Sequence, residues 1–255
     1  MVSKTLAGRI MMRAVVCVLM LCGTGARSAF AQESFDVAVI RPSSGEVKFE
    51  HDGKTEVSYG TLRMHDVTVS TCMQWAYGIT RPLLTGPDSI RKVHYDIVAK
   101  TDPHATKAQM KEMMRSLLSD RFKLAFHDEK KELRVFTLVV AKGGIKMRPA
   151  TPGVAMHHEN SATGMVAVSM SMQELADYLS DPLGAPLMDG TGLAGGYDFA
   201  IDFTPYANGD QSDVRPDPVW ILKSALKDEL GLELVQGKAV MNVMVVDHVE
   251  PPSSN

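Results

Sequence analysis

Adjacent histidines are the first residues that suggest chemistry. His157-His158 stands beside Glu159, with His51 at the matching point of an earlier, related stretch. Zinc sites draw their donors at helical or turn spacing, such as His-x3-His, so that the ligands converge on one tetrahedral centre. Neighbouring residues of a strand point to opposite faces. His157 and His158 therefore do not readily share an ion, and no metal site is expected. His65, His94, His104, His127 and His248 are scattered and expected to be exposed or hydrogen-bonded.

Nucleophile patterns are equally thin. The sequence contains no G-x-S-x-G and no H-E-x-x-H. Ser89-Ile90-Arg91-Lys92 fits S-x-x-K, a pattern that needs a helix start to bring hydroxyl and amine together. Here it follows Gly86-Pro87-Asp88 and leads towards a predicted strand, with no clear S-D-N or K-T-G partner. Thr191 to Asp198 (TGLAGGYD) is the most glycine-rich stretch. A phosphate cradle wants glycines between a strand and a helix, followed by Lys and Ser/Thr. This loop leads into a strand and lacks the Lys, so a tight turn with positive φ at glycine is expected. Paired carboxylates for acid–base work are recognised only by spatial neighbours. The residues thus nominate no catalytic, cofactor-binding or metal-ligating position, and no cofactor.

The chain's beginning has a different purpose. Lys4, Arg9 and Arg13 precede the apolar run Ala14–Cys22, which is too short to span a bilayer as a stable helix. Ala29-Phe30-Ala31 supplies the small-x-small pattern of a signal peptidase site, placing cleavage between Ala31 and Gln32. The alternative is a retained N-terminal anchor. Lipidation at Cys22 is disfavoured by Leu21, where a small residue is normally required. Periplasmic or extracellular localisation follows. Cys17 and Cys22 leave with the signal, and Cys72 remains alone in an apolar helical stretch. An exported domain with one thiol has no internal disulfide framework, and Cys72 reads as a small buried hydrophobe.

The chain carries a net charge of −3, and its first 31 residues hold four basic and no acidic side chains, leaving the remainder at −7. That balance argues against nucleic acid as a partner. No second apolar run suggests a membrane span.

Elements and repeat are legible together. SLLSDRFKLAFHDEKKELRVFTLVVAK (116–142) aligns without a gap on SALKDELGLELVQGKAVMNVMVVDHVE (224–250). Tyr95-Asp96-Ile97 answers Tyr197-Asp198-Phe199, Val67-x-Val69-Ser70 answers Val168-x-Met170-Ser171, and Ile40-Arg41-Pro42 answers Met147-Arg148-Pro149. Ser171-x-x-Glu174 and Thr106-x-x-Gln109 are capping boxes, and Asp217-Pro218 is an N-cap followed by proline at the first position. Met110, Met113, Met114, Leu117 and Leu118 form one buried helical stripe. Met172, Leu175, Ala176 and Leu179 form another. Strands are expected at Phe35–Ile40, Tyr95–Ala99, Lys123–His127, Arg134–Ala141, Tyr197–Phe203, Glu233–Val235 and Val240–Asp247. Lys123–Ala141 reads as a hairpin turning at Asp128-Glu129-Lys130-Lys131. Residues 204–218 read as a polar surface loop. The expected fold is α+β: one unit used twice, residues 32–143 and 144–255, each with mainly antiparallel strands against two helices, or the two as one compact domain.

The ordered blocks FDVAVIRPS, WAYG, the Tyr-Asp strand, LLSDRFKLAFHDEKKELRVFTLVVAKGG, TGLAGGYDF and VVDHVEPPS closely resemble a soil-associated family of unknown function, abundant in acidobacteria. The resemblance covers residues 34 to 253. Ala194-Gly195-Gly196 departs from it where a polar and a basic residue are expected. It implies a secreted protein, or the extracytoplasmic domain of an antirepressor-type membrane metallopeptidase, and supplies no catalytic residues. Residues 219–247 (helix, Gly231-Leu232, strand, turn, strand) resemble at fold level the short N-terminal domain of secretins and TonB receptors, which binds periplasmic proteins. The expected function is an extracytoplasmic binding or interaction module whose partner is an envelope protein or peptide. A secreted hydrolase with scattered site residues and a structural envelope protein are the alternatives.

Overall fold

The computed structural model describes residues 33–43, 53–161, 163–207 and 217–253. The signal region with Ala31 and Gln32, His51, and most of the 204–218 loop lie outside these residues.

Strands β1 (Val37–Pro42), β2 (Lys54–Ser58) and β3 (Thr61–Thr68) come first, then helix α1 (Val69–Tyr77). Next are β4 (Leu84–Thr85), the short α2 (Ser89–Lys92), β5 (His94–Lys100), α3 (Lys107–Phe122) and β6 (Ala125–Val140). The chain continues through β7 (Arg148–Pro149), β8 (His157–Asn160), β9 (Gly164–Ser171) and α4 (Met172–Leu183). It ends with β10 (Leu187–Asp189), β11 (Gly196–Asp202), α5 (Thr204–Ala207), α6 (Pro218–Ala225) and β12 (Leu232–His248). A π-helical turn, Leu226–Leu230, prolongs α6. Among the described residues no helix is long and apolar enough to cross a membrane.

Among the described residues the strands form three four-stranded sheets. One runs β1-β5-β3-β2 and another β7-β11-β9-β8, both antiparallel throughout. The third runs β10-β6-β12-β4, with an antiparallel central pair and a short parallel strand on each flank. Helices with mainly antiparallel sheets make the protein α+β, as expected.

Local chemistry sets the helix ends. Thr106 Oγ1 and Ser171 Oγ each accept from the amide three residues on, and Gln109 and Glu174 reach back to the cap amides, closing both capping boxes. Asp217 accepts from Val219 N ahead of Pro218. Helix α1 stops at Gly78, whose φ of 66° closes the last turn without a Cβ penalty.

The expected hairpin at Asp128–Lys131 does not exist. β6 passes straight through it as one sixteen-residue strand, and Glu233–Val235 and Val240–Asp247 likewise fuse through Gly237 into β12. Asp-Glu-Lys-Lys contains no glycine or asparagine beside its aspartate to complete the positive-φ pair of a tight hairpin turn. It faces solvent in the middle of a two-stranded ribbon, where charged side chains remain hydrated and cross-strand contacts such as Lys238–Glu132 (3.0 Å) assist pairing. The fusion also removes the strand–turn–strand on which the likeness to secretin-type domains rested. Two hairpins went unanticipated, β2–β3 and β8–β9. The first turns on Tyr59 and Gly60, with φ of 43° and 69°, the left-handed pair of a two-residue connection.

Two apolar cores result. One gathers α1, α3, β3 and β5 around Leu62, Met73, Ile97, Met114 and Phe122, and it includes Met244 and Val246 from the far end of β12. The other gathers α4, α6, β9 and β11, and it includes Phe136 and Leu138 from the far end of β6. Each core is thus closed by a strand end from the other half of the sequence. Leu138→Ala, at a fully buried site, should lower stability by about 3 kcal/mol in urea titration. Hydrogen exchange should show the loss of protection concentrated in α4 rather than α1.

Candidate functional site

A groove of about 250 Å³ lies where the two halves of the chain meet. Gly78, Ile79, Thr80 and Leu83 after α1 form one wall. Gln173, Asp177 and Ser180 of α4, with Pro186 and β10, form the other, and Met241 of the ribbon also lines it. The Arg81 amide donates to Asp181 Oδ1 (3.1 Å) close by, tying the segment after α1 to the end of α4. Leu83, Leu187, Met188 and Met241 give the groove an apolar lining. Four of its polar side chains, Ser180, Gln173, Asp177 and Asp189, have built-in partners. Ser180 Oγ donates to Ala176 O and accepts from Leu187 N, so this buried hydroxyl is structural. Gln173 Nε2 donates to Asp177 Oδ1 at 2.8 Å, and Asp189 Oδ1 accepts from the Thr191 amide and hydroxyl. Among the described residues no histidine lines the groove. Close to the Gly78 end, Lys111 is held below its usual pKa, chiefly by partial burial and then by Lys107 and Arg115.

A second constellation sits on a β-bulge. His65 and Asp66 of β3 together oppose Asp96 of β5, and Asp66 adopts a left-handed φ of 55°. Asp96 Oδ1 accepts from the Asp66 amide (2.9 Å) and contacts His65 Nδ1 (2.6 Å). His94 Nδ1 lies 3.0 Å from the Asp66 carbonyl, which only accepts, so this nitrogen carries the proton. Asp66 Oδ1 is buried without a hydrogen bond, 3.4 Å from the same nitrogen.

The other antiparallel sheet has the same bulge without the histidines. Val168 and Ser169 oppose Asp198, so Val168 answers His65 rather than the expected Val67, and the cap Ser171 answers Thr68 rather than Ser70. Ser169 has φ 54°, and its amide donates to Asp198 Oδ1 at 2.8 Å. Gly196 stands where β5 has His94, and a Cβ there would meet the Ser169 carbonyl oxygen at 2.7 Å. The aspartate is therefore the bulge's own amide acceptor, whereas His65 and His94 are additions peculiar to one sheet.

Residues 70–249 match a family described as Protein of unknown function (DUF3738). The chain belongs to this family. No curated protein and no solved structure matches it. The DUF3738 match contains every residue lining the groove and the second bulge in full, while β1, β2 and the whole of β3 precede it.

The structure separates most of the residues that suggested chemistry in this DUF3738 member. His157 contacts Glu159 (3.2 Å), while His158 turns to the other side and packs edge-on to Tyr178. Burial raises the Tyr178 pKa, opposed by its hydrogen bond to Asn160. Among the described residues no three His, Cys, Asp or Glu converge as metal ligands. His127 and His248 contact Asp247 and Glu250, and His104 is exposed. Ser89 does start a helix, contrary to expectation, but Lys92 Nζ goes to Asp88 Oδ2 (2.6 Å). Gly192 and Gly195 have the positive φ expected of a turn (68° and 82°). Cys72 is fully buried, with its sulfur 3.8 Å from Met64 Sδ.

Sequence reasoning missed both the groove and the bulge. The available signal was the repeated Tyr-Asp pair, whose aspartate has an amide to accept from in both sheets. Asp96→Ala should cost about 1–2 kcal/mol in chemical denaturation by orphaning that amide. Asp96→Asn, which keeps an acceptor oxygen, should recover most of this. His65→Ala should remain within about 0.5 kcal/mol of the parent.

Proposed function

We propose that this protein is an exported, non-catalytic binding or interaction module that receives its partner, an envelope protein or peptide, in the groove between its two halves. The carrying observation is the groove itself: an open, partly apolar recess whose buried Ser180 hydroxyl is committed to backbone bonds and whose lining, among the described residues, includes no imidazole. A hydrolase would need a nucleophile or a carboxylate joined to a base there. Pockets with apolar walls and a few placed polar groups are the usual form of a recognition site.

Export rests on the sequence: a basic start, a short apolar run, and the Ala-Phe-Ala site before Gln32. The ordered blocks shared with the soil-associated, acidobacterial-type family of secreted proteins support the same reading. Duplication of one unit, 32–143 and 144–255, is part of it, supported by the two sheets with equivalent strand orders and by their equivalent bulges.

Affinity capture with the mature protein from an envelope extract should enrich a reproducible partner. Gln173→Trp, which places an indole at the groove from an exposed helical position, should abolish that enrichment without unfolding the protein. Failure to enrich anything, or enrichment indifferent to Gln173→Trp, would remove the groove from consideration. Expression of the full chain in a Gram-negative host should yield periplasmic protein whose first residue, by intact mass and N-terminal sequencing, is Gln32. An intact N-terminus retained in the membrane would instead mark an anchor.

A further inference from the structure

The β6–β12 ladder contains the pair Glu132↔Val240. These two residues are 108 positions apart, the spacing at which 116–142 aligns on 224–250. A pair of repeat-equivalent residues facing each other in an antiparallel ladder lies on a local two-fold axis. The flanking strands obey the same operation. Phe136 faces Leu187 of β10, and Met244, its equivalent, faces Leu84 of β4. The cores obey it as well, since each is closed by the strand end of the other half. This is the arrangement of an isologous dimer, in which one patch serves both sides, drawn into a single chain.

The ladder also discriminates between partners. A first half laid in this register against another first half would set Glu132 opposite Glu132 and Lys130 opposite Arg134, twice over. In the chain, Val240 faces Glu132 and Asn242 faces Lys130. Lys238 does face Arg134, but its ammonium is drawn to Glu132 at 3.0 Å. Like charges directly opposite weaken an antiparallel pair, so the first half selects a second half.

We infer that the two halves are exchange units: the ribbon is a two-fold pairing that the connector after β6 keeps inside one chain, and a chain whose connector cannot fold back closes its first half on the second half of another copy. Nothing but the connector after β6 decides whether the pairing is internal. A Cβ at Gly143 or Gly144 would meet nothing within 4 Å, while the Gly144 carbonyl lies against Gly231, and Gly144 takes a φ of 78° to fold the chain back. Shortened connectors that cannot fold back are a standard route to exchanged dimers. The inference is independent of what the groove binds.

The test uses the mature chain carrying Glu132→Cys and Val240→Cys, with the connector intact or with Gly143 and Gly144 deleted. With the intact connector the disulfide should form within a monomer. With the deletion, the particle should double in mass and run as a reducible covalent dimer. A deletion variant that is folded and monomeric, with its disulfide inside one chain, would overturn the inference. If the deletion variant does not fold, a protease site between Gly143 and Gly144 of the parent chain decides. After cleavage, tagged and untagged copies are mixed in mild denaturant and returned to buffer. Untagged second halves retained by tagged first halves support the proposal, and halves that separate as folded monomers refute it.

Discussion

The ladder between β6 and β12 runs from Leu232 opposite Val140 to Val246 opposite Phe126, and its two ends are buried in different cores. Its middle is exposed and buries little, so the ribbon is held by its ends. That makes the register doubly determined. A slip of one residue would turn Phe136 and Leu138 out of one core and Met244 and Val246 out of the other at the same step. The groove inherits this constraint, since Met241, paired with Lys131 in the middle of the ribbon, lines it from a position that the same register sets.

The paired bulges separate backbone necessity from side-chain addition. In both sheets a non-glycine residue takes a left-handed φ, and in both an aspartate from the neighbouring strand accepts its amide. A strained φ at one place would invite a functional reading. The same strain at the equivalent place, where Val168 and Gly196 leave no imidazole, shows that the bulge serves the bend of the sheet. His65 and His94 are then local elaborations of a common frame.

Helix boundaries were the most legible part of the sequence, because caps are short-range chemistry. Thr106, Ser171 and Asp217 each act on an amide two or three residues away. The class of fold was legible from the β-branched and aromatic runs. The long strands were not, because a charged stretch such as Asp128–Lys131 reads as a turn unless the partner strand beside it is known. β2 and β8 were hidden by their polar composition, being edge strands that bury little. The groove was out of reach for a different reason: Gly78, Asp177 and Met241 are far apart in the chain and have no shared pattern.

Strand exchange also imposes an order of events on a chain that is made from its N-terminus. Leu62, Ile97, Met114 and Phe122 are all synthesised ahead of the second half, but Met244 and Val246, which close their core, come from the far end of β12. The first-made half therefore stays open until β12 has been made, and a nascent chain in that state is still free to thread.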